Sequence, residues 1–239
     1  MKALILAGGR GNRLEPITDE INKCMLPLAG KPLIEYSLEG ARAAGVDEIV
    51  VVVGYLAEDI INTYGNRFHD VPIRYVIQWE QRGLVHAMEC ASRALGNSDF
   101  MLFLADEILL NPRHAEMIRT FRDEAVFVLC GVIEVEDRSQ ISKTYAIIRN
   151  EEDDRIYRLI EKPARPMNNI MGTGNCIFRN AILSYIADTP INQKRGEKEL
   201  PDLIQCAIDD GQKVKAFFIS DRYVNVNTPE DIARAEKDF

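Results

Sequence analysis

The chain has 239 residues, of which 46% are hydrophobic and 28% charged, a composition that excludes disordered and fibrous proteins. Its length fits one large α/β domain or two small ones. Acidic residues outnumber basic residues by 37 to 29, and the resulting formal charge of −8 argues against a nucleic-acid partner, although it permits small phosphorylated ligands.

The cysteines and the apolar segments indicate the cellular compartment of the protein. The five cysteines are scattered, with no CxxC pair and no histidine at zinc-ligand spacing, which predicts reduced thiols rather than a zinc site or disulfides. No run is long and apolar enough to cross a bilayer, and the apolar run near the N-terminus is too brief for a signal peptide. We therefore expect a cytoplasmic protein with no membrane partner.

The first half of the chain alternates apolar strands with helices. We predict strands at Ala3–Leu6, Glu48–Val53, Ile73–Ile77 and Phe100–Ala105, and helices at Leu33–Ala44, Ala57–Tyr64 and Leu84–Leu95. A loop rich in Gly, Arg and Pro follows the first strand and runs to about Pro32. Uninterrupted apolar strands separated by helices indicate a parallel sheet that is covered on both faces.

After Asp123 the pattern changes to strands with few helices between them. We predict strands at Ala125–Val135, Tyr145–Arg149, Ile156–Glu161, Met171–Phe178 and Val214–Ile219, and helices at Arg179–Ile186, Leu200–Asp210 and from Pro229. No flexible linker, low-complexity segment or internal repeat separates the two patterns. We therefore predict a single domain over residues 1–239, in which a half of about 1–123 and a half of about 124–239 share one sheet.

The strongest motif is the loop after the first strand, LAGGRGNRLEPITDEINKCMLPLAGKPLIEY. Gly8, Gly9 and Gly11 let the backbone approach a ligand closely. Arg13 and Lys23 supply two cations suited to a polyphosphate. A dinucleotide-binding GxGxxG turn would need a third glycine at position 14, and a Walker A loop would need a Gly-Lys-Ser/Thr run, so neither motif fits. A flexible surface loop stays an alternative.

This loop resembles, almost position for position, the signature LAGGxGxRLxPxTxxxxKxxxPLxxKPLIEY of the sugar-1-phosphate nucleotidylyltransferases. Members include glucose-1-phosphate thymidylyltransferase, uridylyl and cytidylyl enzymes, and mannose-1-phosphate guanylyltransferase. Later landmarks appear in the family's order along essentially the whole chain. The resemblance implies a Rossmann-like α/β fold of the nucleotide-diphospho-sugar transferase type, with a mixed, mostly parallel central sheet and helices on both faces.

The same resemblance implies the reaction and its cofactor. A nucleoside triphosphate and a sugar-1-phosphate would give a nucleoside diphosphate sugar and pyrophosphate, with Mg2+ and by direct in-line attack on the α-phosphate. Residues 1–123 would form the nucleotide-binding half and residues 124–239 the sugar-phosphate-binding half. The implied catalytic residues are Arg13, Lys23, Asp106 and Lys162.

The resemblance assigns the contacts to the base and the triphosphate to the first half. The implied nucleotide-binding residues are Leu6, Ala7, Gly8, Gly9, Gly11, Arg13, Gln78 and Gly83. The last two stand in QWEQRGLVHAM, which resembles the base-reading QxxxxGTAxAL except for Leu-Val in place of Thr-Ala, so the base preference stays open. Trp79 is either a packing residue or a stacking partner of a ligand. His86 is expected to be structural.

Two polar positions late in apolar segments are candidate metal ligands. Asp106 directly follows an apolar strand in FMLFLADE, and an unpaired carboxylate there would be costly, so a metal or another cation is expected beside it. A helix N-cap is the alternative for this residue, and the role of Glu107 is open. YVNVNTPEDIARAE resembles WxDxGTPEDLxxA, which makes Asn225 the second metal ligand where Asp is usual, with Asn227 as a rival.

The implied substrate-binding residues lie in the second half: Glu161, Lys162, Gly172, Gly174 and Glu199. LIEKPARP resembles the family's EKP, in which the Glu binds sugar hydroxyls and the Lys holds the sugar phosphate. MGTGNCIF resembles a glycine strand that passes close to the sugar ring, although the Asn follows the second glycine here. RGEKELPDLI resembles GExxLTDAI and contributes the Glu199 candidate.

Two other functions stay open. One is a non-catalytic sensor or regulatory homologue on the same fold, and the other is a cytidylyltransferase that acts on a non-sugar phosphate or phosphonate. Retention of Arg13, Lys23 and Asp106 favours an enzyme, and the intact Glu161-Lys162-Pro163 favours a sugar substrate. The sequence does not specify the base, the sugar or whether the chain forms a homo-oligomer.

Overall fold

A mixed β-sheet between two layers of helices organises the protein, in a computed structural model that describes residues 1–236. In chain order the strands are β1 (Lys2–Ala7), β2 (Pro27–Leu28), β3 (Lys31–Pro32), β4 (Glu48–Val53), β5 (Arg67–Phe68), β6 (Val71–Ile77), β7 (Phe100–Leu104), β8 (Glu107–Leu110), β9 (Val128–Glu134), β10 (Tyr145–Arg149), β11 (Ile156–Glu161), β12 (Ile170–Phe178), β13 (Ile191–Asn192), β14 (Glu197–Lys198), β15 (Val214–Phe218) and β16 (Arg222–Asn225). The α-helices are α1 (Leu33–Ala44), α2 (Ala57–Tyr64), α3 (Leu84–Leu95), α4 (His114–Asp123), α5 (Leu200–Asp209) and α6 (Pro229–Ala235).

Ten strands from both halves belong to one sheet, and the other six strands of residues 1–236 form the two-stranded sheets β2–β3, β8–β16 and β13–β14. The order of the ten-stranded sheet is β11-β10-β12-β7-β1-β4-β6-β5, with β9 paired to β12 and β15 paired to β9. Strands β7, β1, β4 and β6 run parallel, whereas β12 joins β7 in the antiparallel direction and so connects the second half to the first. The predicted mixed sheet with helices on both faces is confirmed. Residues 237–239 of the predicted domain lie outside the described residues.

The helices cover the two faces because successive side chains of the strands point to opposite sides. In β1, Ala3 and Ile5 pack in the core beneath α1 and α4, whereas Leu4 packs in the core beneath α3 and α5. This double burial explains why the central strands are apolar at almost every position. A third apolar cluster, which includes Leu14 and Val226, fixes the glycine-rich loop against the C-terminal segment.

Several predicted elements need correction. The helix predicted at Arg179–Ile186 is a 3-10 helix over Asn180–Ile186. Helix α4 was not predicted, although its buried residues His114, Met117, Ile118 and Phe121 have the i, i+3, i+4, i+7 spacing of an amphipathic helix. The strand pair β8–β16 was also not predicted, because its two partners are far apart in the sequence.

No helix within residues 1–236 is long and apolar enough to cross a membrane. The five cysteines are free thiols, and three of them are buried.

Candidate active site

The polar residues singled out by the sequence gather at the edge of the sheet where the parallel strands end. The glycine-rich loop follows β1, Gln78 follows β6, and Asp106 follows β7. Because β7, β1, β4 and β6 are parallel, their carboxyl ends lie side by side, and the loops after them converge. Backbone bonds fasten these loops together: Tyr55 N–H donates to the carbonyl of Gly8, and Gln78 N–H donates to the carbonyl of Val53.

A first cavity of about 460 Å³ opens at this edge. It is lined by Leu6, Ala7, Gly8, Gly9, Gly11, Asn12, Arg13, Lys23, Cys24, Gln78, Gln81, Gly83, Leu84, Ala87, Leu104, Asp106, Arg195, Glu197 and Asn227. Every residue that the sequence predicts to bind the nucleotide lines this cavity. Arg13 is exposed and makes no ion pair with any residue in the described range 1–236, so its charge is free for an anionic ligand.

A second cavity of about 170 Å³ adjoins the first. Its lining consists of Leu84, Leu104, Glu107, Lys143, Thr144, Tyr145, Glu161, Lys162, Gly172, Gly174, Arg195, Glu197, Glu199, Leu200, Pro201 and Asn225. Every residue that the sequence predicts to bind the second substrate lines it. The two cavities share Leu84, Leu104, Arg195 and Glu197. The arrangement can therefore bring a ligand in one cavity close to a ligand in the other.

Lys23 and Asp106 form the most buried ion pair of the first cavity. Lys23 Nζ donates to Asp106 Oδ2 at 2.6 Å, and the Lys23 side chain is only 9% exposed. Lys23 Nζ also donates to Asn227 Oδ1 at 3.0 Å. The expectation of a cation beside Asp106 is thus met by a lysine. The N-cap alternative for Asp106 is wrong, because the residue lies in the turn between β7 and β8 and not at the start of a helix.

Gln78 is held rigidly at the opposite wall of the first cavity. It is buried, and its Nε2 donates to the Gly83 carbonyl at 3.1 Å and lies 3.0 Å from His86 Nδ1. His86 Nε2 in turn lies 2.9 Å from Arg82 Nη2 and 3.7 Å from Cys90 Sγ, and His86 lines neither cavity, which agrees with the expected structural role. Trp79 is 83% exposed, which makes the packing alternative for this residue wrong.

Gly83 marks the place where the two cavities meet. Its φ of +87° lies in the region that favours glycine, and a Cβ there would stand 2.2 Å from Glu197 Oε2. Only a glycine lets the hairpin β13–β14, which carries Glu197, approach the start of α3 so closely. Gly174 is similarly confined, since a Cβ would stand 2.3 Å from Leu104 Cγ.

Arg195 is a site residue that the sequence analysis missed. It lies in the turn of the β13–β14 hairpin and pairs with Glu161 at 3.3 Å, Glu197 at 2.6 Å and Glu199 at 3.2 Å. Lys162 Nζ pairs with Glu161 Oε1 at 2.9 Å. Burial and the neighbouring Glu161 raise the pKa of Glu199. The sequence signal for Arg195 was the run of charged residues KRGEKE. Only the fold shows that Glu161, Glu197 and Glu199 converge on its guanidinium group.

Glu107, whose role the sequence left open, is a buried carboxyl group in the wall of the second cavity. It accepts hydrogen bonds from Tyr223 Oη at 2.7 Å, Gly174 N at 2.8 Å and Asn175 Nδ2 at 3.2 Å. Burial raises its pKa to about 8; the Asp106 charge also raises it, and these three hydrogen bonds lower it. The carboxyl therefore ties β8, β12 and β16 together beneath the site.

Asn225 and Asn227 lie on the same side of the site but face different cavities. Asn227 Nδ2 donates to Asn225 Oδ1 at 2.6 Å, and Asn225 Nδ2 donates to Tyr223 Oη at 3.1 Å. Within residues 1–236 no group of three or more His, Cys, Asp and Glu side chains is arranged to hold a metal. A cation at this place would therefore have one carboxylate, that of Asp106, and amide oxygens as protein ligands.

Cys24 lines the first cavity, but its thiol is not activated as a nucleophile. Burial raises the pKa of its thiol to about 12, and the Asp106 charge acts in the same direction. A thiol with so high a pKa is protonated at neutral pH and is a poor nucleophile. The first cavity thus offers cations and hydrogen-bond donors rather than an activated cysteine.

Comparison with known proteins identifies the family. The sequence model of the family described as nucleotidyl transferase matches residues 2–239, nearly the whole chain. The chain belongs to this family. The resemblance stated from the glycine-rich loop and the later motifs is thereby confirmed.

Named relatives match over almost the whole chain. The chain is 33% identical over 237 residues to the UTP–glucose-1-phosphate uridylyltransferase AglF of Haloferax volcanii, covering 99% of the chain and 96% of that protein. It is 32% identical to the low-salt glycan biosynthesis nucleotidyltransferase Agl11 of the same organism and 32% identical to the glucose-1-phosphate thymidylyltransferase of Streptomyces griseus. Each of these two alignments covers 99% of the chain but only 65% of the relative.

Solved structures support the fold. A crystal structure of UDP-glucose pyrophosphorylase complexed with UDP-glucose superposes with a TM-score of 0.89, covering 99% of this chain and 97% of that one at 23% identity. At that identity the superposition establishes the fold.

Proposed function

We propose that this protein joins a nucleoside triphosphate to a sugar-1-phosphate and releases pyrophosphate. The observation that carries the proposal is the pair of adjoining cavities. One is lined by the glycine-rich loop with Arg13 and Lys23, and the other by Glu161 and Lys162. The names of the relatives, uridylyl- and thymidylyltransferases of glucose-1-phosphate, support the same reaction and favour UTP and dTTP as the first triphosphates to test.

In this proposal the triphosphate occupies the first cavity. Gln78 and the backbone at Gly83 would contact the base, and the loop backbone from Leu6 to Gly11 would follow the sugar and phosphates. Arg13, which is exposed and unpaired within the described residues, would neutralise the phosphates. Lys23 would exchange its bond to Asp106 for one to a phosphate oxygen.

The sugar-1-phosphate occupies the second cavity. Glu161 and Glu199 would accept hydrogen bonds from sugar hydroxyls, with Gly172 and Gly174 forming the close wall of the cavity. Lys162 would hold the phosphate, for which it has to turn from Glu161. The second pKa of a phosphate monoester is about 6, so the attacking oxygen is already charged at neutral pH and needs no general base. These residues therefore act by positioning the reactants and neutralising charge.

The donor set beside Lys23 fits Mg2+ that arrives with a nucleotide. Mg2+ is usually held by one or two carboxylates together with substrate phosphates, and this site offers Asp106 and the amide oxygens of Asn225 or Asn227. Asp106 and Asn225 would hold the ion, with Asn227 as the rival ligand. When bound, Mg2+ would supply charge neutralisation at the α-phosphate and the leaving pyrophosphate. The cytoplasmic location and a homo-oligomeric state remain predictions.

A substrate screen tests the proposal. The common nucleoside triphosphates are incubated with a panel of sugar-1-phosphates and Mg2+, and pyrophosphate release is measured. We expect release only when both substrates are present. Tight binding of a triphosphate without turnover of any sugar phosphate would contradict the proposal and favour a sensor. Turnover of phosphocholine or a phosphonate alone would favour the non-sugar cytidylyltransferase.

A further inference from the structure

The amides of Asn225 and Asn227 belong to a chain of hydrogen bonds that runs from the first cavity into the protein. Lys23 Nζ donates to Asn227 Oδ1 at 3.0 Å, and Asn227 Nδ2 donates to Asn225 Oδ1 at 2.6 Å. Asn225 Nδ2 donates to Tyr223 Oη at 3.1 Å, and Tyr223 Oη donates to Glu107 Oε1 at 2.7 Å. Every donor in the chain thus points away from Lys23 and towards Glu107.

The chemistry of the Lys23 end fixes this direction. A lysine ammonium group has three donors and no acceptor, so it requires the oxygen of Asn227 and not its NH2 group. At the other end, Tyr223 Oη donates to Glu107 Oε1, while Glu107 Oε2 accepts from the backbone N–H of Gly174 and from Asn175 Nδ2. Between these ends each amide has one orientation that satisfies all of its partners. The Oδ1 atoms of Asn225 and Asn227 therefore both face towards the Lys23–Asp106 ion pair.

This direction matters because Asn225 is neutral. A carboxylate offers an oxygen whichever way it turns, whereas a turned amide would present its NH2 group to a cation. In the proposed reaction Lys23 moves to a phosphate, so its hydrogen bond to Asn227 is lost when the nucleotide binds. The hydroxyl of Tyr223, held by Glu107, is then the contact that keeps the Asn225 amide in place.

We propose that Tyr223 is a positioning residue, anchored by Glu107, that holds the Asn225 amide with its oxygen towards the cation carried by the nucleotide. The inference deepens the proposed function and rests on it. It also accounts for how a neutral asparagine can serve at position 225, because the neighbouring residues fix the orientation of its amide.

The experiment measures Mn2+ binding by electron paramagnetic resonance, with UTP or dTTP present and no sugar phosphate, so that no turnover occurs. Tyr223→Phe removes the hydroxyl and keeps the ring. We expect it to weaken Mn2+ binding about three- to tenfold, the loss that corresponds to one hydrogen bond. Tyr75→Phe is the matched control, since the Tyr75 hydroxyl is buried without a hydrogen-bond partner within the described residues, and it should leave binding unchanged.

Glu107→Gln provides a second, isosteric variant. Its amide oxygen must still accept from Gly174, so its NH2 group faces Tyr223. Tyr223 then has to donate to Asn225, which turns the Asn225 oxygen away from the cation. We expect Glu107→Gln to weaken Mn2+ binding at least as much as Tyr223→Phe.

Making the same two substitutions in the Asn225→Asp protein distinguishes a loss of Asn225 amide orientation from general damage to the fold. A carboxylate at position 225 needs no orientation, so Tyr223→Phe and Glu107→Gln should have little further effect on Mn2+ binding in that background. Equal weakening in both backgrounds, or unchanged binding in both single variants, would overturn the inference. A wild-type protein that binds no Mn2+ with any triphosphate would instead overturn the proposed function, and the inference with it.

Discussion

At the scale of single residues, two of the three cations assigned to phosphate binding are already paired with carboxylates in the protein itself. Lys23 is paired with Asp106, and Lys162 is paired with Glu161. Arg13 has no such partner within the described part of the chain. In the proposed function, binding of the two phosphorylated substrates would therefore exchange the ion pairs of Lys23 and Lys162 and create a new one at Arg13.

Removing Arg13 and Lys162 should affect different substrates. Arg13→Ala should weaken triphosphate binding about ten- to hundredfold, the loss of a charge-assisted contact of roughly 1.5–3 kcal/mol. Lys162→Ala should raise the KM for the sugar phosphate by a similar factor and leave triphosphate binding nearly intact. Calorimetry with the triphosphate and steady-state kinetics with the sugar phosphate measure the two effects. Loss of triphosphate binding in Lys162→Ala would show that the substrates are assigned to the wrong cavities.

Replacing an amide with a carboxylate tests which asparagine binds the metal. Asn225→Asp should lower the Mg2+ concentration for half-maximal activity, because it adds an anionic oxygen ligand. Asp106→Asn should nearly abolish turnover. Magnesium titrations of Asn225→Asp and Asn227→Asp provide the comparison. A shift in the Asn227 variant alone would contradict the assignment to Asn225.

At the scale of elements, the sequence predicted the segments whose burial is visible in their own residues. The bounds of α1, β4, α2, α3, β10 and β11 agree with the predictions to the residue, because each segment has its own apolar periodicity and a clear stop such as Gly45 or Gly96. Strands β8 and β16 are stabilised by each other across more than a hundred residues, which no local pattern reveals.

The same distinction applies to the site. Motifs named the residues of the glycine-rich loop and the Glu161-Lys162 pair, and these residues do gather in the two cavities. Arg195 and Tyr223 could not be found in that way. The role of Arg195 depends on three acids that meet only in the fold, and the role of Tyr223 depends on Glu107.

Three strands of the sheet are tied together by one carboxylate whose effect depends on pH. Glu48 of β4 accepts from Lys2 of β1 at 2.7 Å and from Arg74 of β6 at 2.9 Å. Burial by itself would raise the pKa of Glu48, but the hydrogen bonds from Lys2 and Arg74 outweigh it and lower the pKa. A lowered folded-state pKa stabilises the protein above the unfolded-state pKa, and this stabilisation is lost as the pH falls through the folded-state value.

Glu48→Gln should therefore lower the free energy of unfolding at pH 7 by about 1 kcal/mol, a Tm shift of about 2–4 °C. Below the folded-state pKa of Glu48 the variant and the wild type should be nearly equally stable. Thermal unfolding at both pH values measures the difference. Glu116→Gln, at an exposed residue of α4 without an ion pair in the described range, is the control. A loss of stability that is the same at both pH values would contradict this account.

At the scale of the whole molecule, one sheet carries both binding cavities. Strand β12 joins the antiparallel half to the parallel half through β7. The turn after β7 supplies Asp106 to the first cavity, and β8 supplies Glu107 to the second. The β13–β14 hairpin crosses from the second cavity to Gly83 of the first. In the proposed function this architecture would place the two substrates side by side. It provides no activated nucleophile among the described residues of the first cavity, which favours direct transfer from one substrate to the other.

The exchange of labelled pyrophosphate into the triphosphate tests this central claim most directly. Direct transfer breaks the bond to pyrophosphate only when a sugar phosphate attacks, so exchange should require the sugar-1-phosphate and stop when it is omitted. Exchange that proceeds with the triphosphate and Mg2+ alone would reveal a nucleotidyl-enzyme intermediate and contradict the account.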